Sequence, residues 1–239
     1  MNTSEAQDIN LVRKIIDNSL QQRRKHLLEP EAMKVIKAFG IPCVRYALAS
    51  SAPDAIQMAE QIGYPVVMKI VSPDIIHKTE VGGVKLSVNG SREVEIVYEE
   101  IIENARQTNP NAEICGVLIA EMAAPSLEII IGGIRDLQFG PVVMFGLGGI
   151  FVEVLKDISF RIAPVGEHEV FDMIQDVRGA KILQGFRGKE TLDIYSLVQT
   201  VRHVSDIMIK IEQINEIDLN PVRIYSSGVK TLDARIILE

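Results

Sequence analysis

The sequence lacks most of what would mark a specialised class of protein. Tryptophan is absent, and only two cysteines, Cys43 and Cys115, occur in 239 residues. Both thiols sit in apolar surroundings without metal-ligand spacing, which excludes a disulfide scaffold and leads us to expect two reduced core residues. Positive charge is not in excess: the formal net charge is −7, and the one basic run is Arg23-Arg24-Lys25. That balance argues against nucleic acid or an anionic membrane as partner. A local cluster of lysines and backbone N–H groups could still bind an anionic ligand such as ATP. No apolar run approaches the roughly 20 residues a membrane helix needs. The opening Met-Asn-Thr-Ser-Glu-Ala-Gln-Asp has neither the basic nor the apolar region of a signal peptide. A cytoplasmic location is therefore expected. Walker motif, internal repeat and low-complexity linker are all missing too.

What remains is ordinary globular material, 47% hydrophobic and 24% charged, enough for one large or two small lobes. Apolar spacing predicts a helix from Ser4 to about Leu28, then a second over Glu31 to Phe39, opened by Pro30 and closed by Gly40. Ile41 to Val44 begins a short strand, and Ser51 to Ile62 is a helix ended by Gly63. Pro65 to Val71 is a continuous apolar, β-branched run and reads as a buried strand. Further strands are expected at Val84–Val88, Gly116–Glu121, Leu127–Ile134, Pro141–Phe145, Phe151–Leu155, Ile217–Ile224 and Val229–Asp233. Further helices are expected at Arg92–Arg106, Glu169–Asp176 and Leu192–Ile211. Alternating helices and strands followed by clustered strands indicate an α/β or α+β sandwich. Asn109-Pro110-Asn111 is a candidate break between lobes.

Four constellations could carry chemistry. Lys69 ends an apolar strand, where a charge is costly unless it meets an anion or snorkels to water; both readings stay open. The stretch from Ser72 to Gly83 is longer than a hairpin needs. His77 in it is a candidate base or phosphoryl acceptor, and Gly82-Gly83 either a phosphate cradle or a bulge. Phe145-Gly146-Leu147-Gly148-Gly149-Ile150 looks like a dinucleotide turn but leads toward an expected strand, which fails the Rossmann context. It reads as a ligand-approaching turn or a plain hairpin. Finally, Glu216, Asp218 and Asn220 alternate with Ile217 and Leu219 and so share one strand face. A hairpin-like return brings Asp233 near that face. Such a face is either simply solvated or a magnesium site, since converging carboxylate and amide oxygens are what Mg²⁺ takes: it prefers hard oxygen donors and keeps waters and phosphates.

In their order and spacing these pieces resemble a known family. Glu31 to Pro42 and Ile62-Gly63-Tyr64-Pro65-Val66-Val67-Met68-Lys69 resemble the opening of an ATP-grasp domain. Asp218-Leu219-Asn220-Pro221 with Leu232-Asp233-Ala234-Arg235 is similar to the metal-binding end of the succinyl-CoA synthetase β subunit. Asp74 to Val84, around His77, is similar to the β subunit of ADP-forming acetyl-CoA synthetase. The resemblance implies a two-lobed ATP-grasp fold, with an N-terminal helix over 1–28, a first lobe over 29–110 and a second over 111–239. It implies that Lys69 holds phosphate oxygens, that Gly82 and Gly83 line the nucleotide, and that Glu121 and Glu128 meet adenine and ribose. It makes Asn220 and Asp233 magnesium ligands, His77 a relay for a phosphoryl group, and Asp218 the acid that orients a phosphohistidine. It further implies ATP/ADP as substrates and a CoA-binding α subunit as partner, in an α₂β₂ heterotetramer. No CoA-binding domain is legible and the succinyl enzyme's extra C-terminal domain has no counterpart, so the acetyl-type enzyme is the better match and activity is expected only with the partner. Two other readings remain: an ATP-grasp carboxylate–amine ligase, which would not need His77, and a nucleotide-binding regulatory module.

Overall fold

The computed structural model describes residues 3–149, 152, 156–185 and 191–239. The chain forms two compact units: 44–124, and 1–43 together with 125–239.

The second of these opens with two helices, α1 (Thr3–Gln21) and α2 (Glu29–Ala38). Helix α1 stops short of the expected Leu28, because the chain turns at Arg23 with φ 58°. Arg24 then clamps Glu31 through two hydrogen bonds of 2.7 and 2.8 Å. The same carboxylate accepts the Leu28 N–H at 2.8 Å, which satisfies an otherwise orphan donor at the start of α2. The basic run is thus partly structural.

Unit 44–124 contains β1 (Tyr46–Ala49), α3 (Ala52–Ile62), β2 (Val66–Val71), β3 (Val84–Val88), α4 (Ser91–Thr108) and β4 (Gly116–Glu121). The strand expected from Ile41 begins only at Tyr46; Cys43 instead makes one isolated bridge to Thr231. Helix α3 starts as expected: Ser51 accepts the Asp54 N–H, and Gly63 ends the helix at φ 93°. The strands form an antiparallel sheet in the order β1-β4-β2-β3. Val66, Met68 and Ile70 join Val117 and Ile119 in a core shared with Ala55, Ala59, Val94 and Ile101 of the helices. Strand alternation leaves Val67, Lys69, Leu118 and Ala120 on the other face.

The remaining elements are β5 (Leu127–Asp136), β6 (Gly140–Leu147), β7 (Ile158–Ile162), α5 (Glu167–Gln175), a 3₁₀ helix (Arg178–Gln184), α6 (Ile194–Lys210), β8 (Ile214–Ile224), β9 (Val229–Thr231) and β10 (Ala234–Leu238). The sheet runs β10-β8-β5-β6-β7, with β9 also on β8. Helix α6 packs closely on one face. A Cβ at Gly133 would lie 2.8 Å from Met208 Cγ and 2.9 Å from Ile217 Cγ2, so only glycine fits there.

Several expectations shift. The Asn109-Pro110-Asn111 break falls inside a unit, since β4 beyond it pairs with β1 and β2 before it; the divisions lie at 43/44 and 124/125. The strand expected over Val229–Asp233 ends at Thr231 and the chain resumes as β10. Strand β7 was not anticipated. The strand expected over 151–155 lies, apart from Val152, outside the described residues. Neither cysteine is in a disulfide, and both are half-buried instead of in the core. Among the described residues no helix is long and apolar enough to cross a membrane.

Candidate nucleotide and metal site

Strand β8 builds the acidic cluster through its register. It pairs with β10 (Arg235 with Asp218, Ala234 with Leu219) and with β9 (Thr231 with Val222) on one continuous count. Carrying that count through the intervening residues sets Asp233 opposite Asn220, and the Leu232 N–H donates to Pro221 O at 3.0 Å beside them. On the other side, β5 meets β8 with a register shift: Ile131 pairs with Leu219 but Ile129 with Val222, so β8 carries an extra residue. Such a bulge re-aims side chains. It lets Ile217, Leu219 and Val222 all be buried while Glu216, Asp218, Asn220 and Asp233 share the opposite face.

Asp218 is the perturbed member. Burial, reinforced by Glu216, pushes its carboxyl up to about 6; Arg235 opposes the rise and Asp233 adds to it. Near neutrality it therefore lies close to its own titration, where a carboxyl can accept or return a proton. Gly132 lies across from it on β5 and presents no side chain. Among the described residues no group of three or more His, Cys, Asp or Glu could hold a metal. Asn220, an exposed amide, and Asp233, a half-buried carboxylate, lie opposite each other and could offer hard oxygens to a cation.

Glu128 is on the same face, directly paired in register with Arg223, which donates to its Oε1 at 2.9 and 3.2 Å. The glycine-rich stretch explains itself largely by packing. Gly148 donates its N–H to Glu128 O at 2.7 Å, and a Cβ there would lie 3.0 Å from that carbonyl. A Cβ on Gly146 would lie 2.7 Å from Ile158 Cγ2. Ile150, at the end of that stretch, lies outside the described residues.

The other unit carries the remaining candidates. Lys69 lies half-buried on β2, opposite Leu118 and Val84, on the face away from α3 and α4. The loop after β2 is tied down at its start, where Asp74 Oδ2 accepts the Glu113 N–H at 2.7 Å. His77 follows, its side chain 76% exposed, with Nδ1 4.0 Å from Glu80 Oε1. The Gly82 and Gly83 N–H groups donate to Thr79 O (3.1 Å) and Lys78 O (2.8 Å). Both donors expected to cradle a phosphate are thus engaged in the loop's own turn. Gly82 has φ +65°, and a Cβ on Gly83 would stand 2.5 Å from Ile70 Cγ2. Glu121, ending β4, pairs with Arg45 Nε at 3.1 Å.

Residues 18–238 match the ATP-grasp domain family. The chain is 43% identical to the β subunit of ADP-forming acetate–CoA ligase I of Pyrococcus furiosus, over 95% of this chain and 97% of that one. This chain belongs to the ATP-grasp family of ADP-forming acyl-CoA synthetases. It is also 44% identical to the ADP-forming 4-hydroxybutyrate–CoA ligase of Nitrosopumilus maritimus, over 94% of this chain but only 32% of that longer one. A solved acetyl-coenzyme A synthetase 1 from Ca. Korarchaeum cryptofilum, in complex with coenzyme A and Ca-AMPCP, matches at a TM-score of 0.92 and 48% identity, over 95% of this chain and 99% of that one. A second structure of that protein, with coenzyme A and Mg-AMPPCP and its phosphohistidine segment pointing towards the nucleotide site, matches at 0.85 and 44%, over 95% and 100%. Within this ATP-grasp family the unit thus occurs both as a separate subunit and as about a third of a longer ligase.

Sequence reading missed Arg45, Arg223 and Gly132. The Gly132-Gly133 pair inside an apolar strand was a usable signal, since interior glycines mark close approach. The two arginines carried none, because each finds its glutamate only through strand register.

Proposed function

We propose that this chain is the nucleotide-binding β subunit of an ADP-forming acyl-CoA synthetase of acetyl type, acting in the cytoplasm with a CoA-binding α subunit in an α₂β₂ assembly. The overall reaction is acyl-CoA + ADP + phosphate ⇌ carboxylate + CoA + ATP. The observation that carries this reading is the face of β8, where Asn220 opposes Asp233 beside an Asp218 carboxyl raised to about 6.

Asn220 and Asp233 would hold magnesium, which neutralises phosphate charge during transfer. Lys69, half-buried on β2, would supply a cation to the phosphate oxygens. Glu121 and Glu128 border the nucleoside, each steadied by its arginine. Gly82 and Gly83 act through the shape of the loop, presenting His77 to its surroundings. The phosphoryl group passes from a histidine of the α subunit to the His77 imidazole, one P–N bond breaking as the other forms. It then moves to a terminal oxygen of ADP, the P–N bond breaking as the new P–O bond of ATP forms. Asp218 accepts the N–H of a phosphorylated imidazole, which fixes the tautomer and leaves the other nitrogen to carry phosphorus.

The test follows the phosphoryl group. This chain is purified with and without its α subunit, given Mg²⁺ and γ-labelled ATP, and assayed for acid-labile, base-stable label. Label on the α subunit that disappears in His77→Ala supports the relay. Label that persists in His77→Ala keeps the synthetase and removes His77 from the path. ATP binding without any α labelling overturns the reading in favour of a carboxylate–amine ligase.

A further inference from the structure

The face of β8 that carries Asp218 gathers acid. Glu216, Asp218 and Asp233 share it, and the register that sets Asp233 opposite Asn220 also sets Arg235 opposite Asp218. Directly opposed residues of an antiparallel ladder point to the same side, with Cβ atoms about 5 Å apart. Burial along β10 agrees: Ala234, Ile236 and Leu238 are buried, and Arg235 is exposed. Arg223 and Arg235 both stand directly across the ladder from a carboxylate of this face, and they behave differently. Arg223 closes on Glu128 with contacts of 2.9 and 3.2 Å. Arg235 has the same cross-strand placement against Asp218. Yet among the described residues its guanidinium donates no hydrogen bond, and the Asp218 carboxyl accepts none. An arginine held beside a carboxylate with its five donors unengaged keeps its fork available for another oxyanion.

We infer that Arg235 is a further catalytic residue, whose guanidinium holds oxygens of the phosphoryl group while that group passes from the imidazole oriented by Asp218 to ADP; this rests on the phosphoryl-transfer reading above. A phosphoryl group in transfer spreads negative charge over three oxygens. On this face it meets Glu216, Asp218 and Asp233, so a cation is needed beyond any metal that Asn220 and Asp233 hold. Arg235 is the cation that the register sets among these acids, two residues after Asp233. Arg223, farther along β8, is committed to Glu128. The placement fits the substrate as well. A phosphorylated imidazole presents an N–H at one nitrogen and phosphoryl oxygens at the other. Asp218 takes the first, and the longer arginine, rising beside it, reaches past the carboxylate toward the second. The planar fork can meet two phosphoryl oxygens at once. The guanidinium stays protonated throughout. The P–N bond breaks with its electron pair returning to the imidazole nitrogen, and an ADP oxygen forms the new P–O bond.

The experiment uses the chain in complex with its CoA-binding subunit and compares wild type with Arg235→Gln and Arg235→Lys. Each complex is phosphorylated from acetyl-CoA and labelled phosphate, a loading that does not pass through Arg235, and is then given Mg²⁺ and ADP. The rate at which label reaches ATP is followed across about pH 6 to 9. Binding of ADP with and without Mg²⁺, by calorimetry, and melting are measured alongside. In Arg235→Gln the transfer rate should fall about 10²–10³-fold at every pH. ADP binding should stay within about threefold of wild type, because the contact is made only to the group in transfer. Melting should not fall. Arg235→Lys, which keeps the charge and loses the fork, should lie between the two. Wild-type transfer in Arg235→Gln overturns the inference and leaves the phosphoryl-transfer reading intact. A loss that vanishes as pH rises also overturns it, because it assigns Arg235 to keeping the Asp218 carboxyl charged against burial. ADP binding weakened in step with the rate assigns the guanidinium to the nucleotide's own phosphates and overturns it likewise. A wild-type complex that passes no label to ADP overturns both the inference and the reading. Should Arg235→Gln melt early, Arg235→Lys decides, and a full rate there overturns the inference.

Discussion

The imidazole of His77 stands 76% exposed on a loop of the four-stranded sheet, with Glu80 Oε1 4.0 Å from its Nδ1. Asp218 instead sits on a central strand of the six-stranded sheet, between Arg235 on β10 and Gly132 on β5. The first residue is accessible and lightly held; the second is enclosed, and burial has moved its titration. The difference matches two kinds of task. A group that receives phosphoryl from another protein must be reachable. Groups that position a metal and a charged imidazole must be fixed beforehand, because a displacement of about an ångström can cost 10²-fold in rate. On the proposed mechanism the two sheets would divide the work into presentation and preorganisation.

The sharpest way to break that division is to remove an oxygen from the fixed side. Asp233→Ala should lower Mg²⁺-dependent ADP phosphorylation by roughly 10²–10³-fold, with the fold retained, since the residue lies in the irregular link between β9 and β10. Steady-state kinetics at saturating Mg²⁺ read this directly. A loss under about threefold would mean that this face does not hold the metal.

Asp218→Asn should separate function from stability. The carboxyl titrates near 6 in the folded chain and near 3.9 in an unfolded one. Below about pH 4 it is neutral in both states, so substitution changes little. Between about pH 4 and 6 the unfolded chain loses its proton first, and the wild type loses stability as pH rises. Above that window the folded chain carries a buried charge and the loss is complete. The Asn variant should therefore be more stable by about 1–2 kcal/mol at pH 8, after allowance for solvent screening, and equal to wild type at pH 4. Transfer should meanwhile fall about 10–100-fold, as expected for a group that orients another. Urea denaturation at the two pH values tests the first statement; a variant less stable at pH 8 refutes it.

How much of this was legible beforehand depends on whether a feature is local. The apolar runs of β2 and β4, the Ser51 cap, and the alternation of Glu216, Asp218 and Asn220 were readable, because strand and helix periods are written residue by residue. The bulge after Asn220 was not, since it exists only against Ile129 and Ile131 of another strand. The unit boundary escaped for the same reason: β4 belongs with strands before Asn109, and no residue between them records the pairing. Gly82 and Gly83 were rightly read as special, but their conformation serves the turn through the Thr79 and Lys78 carbonyls. A paired glycine shows that backbone must bend or approach something, and not what it approaches.

The smallest effect compares the two arginine–glutamate pairs. Arg45 is 63% exposed on its side chain against Glu121, while Arg223 is 17% exposed against Glu128 and lies directly across the ladder from it. An exposed pair loses most of its attraction to solvent and to side-chain entropy. A cross-strand pair in register, with a more enclosed guanidinium, keeps more of it. Double-mutant cycles with Arg45→Ala/Glu121→Gln and Arg223→Ala/Glu128→Gln, followed by urea denaturation, isolate each coupling. We expect under about 0.5 kcal/mol for the first pair and about 1 kcal/mol for the second. Equal couplings would mean that the six-stranded sheet holds its carboxylates no more firmly than the four-stranded sheet does, and preorganisation would then rest on Asp218 and its neighbours alone.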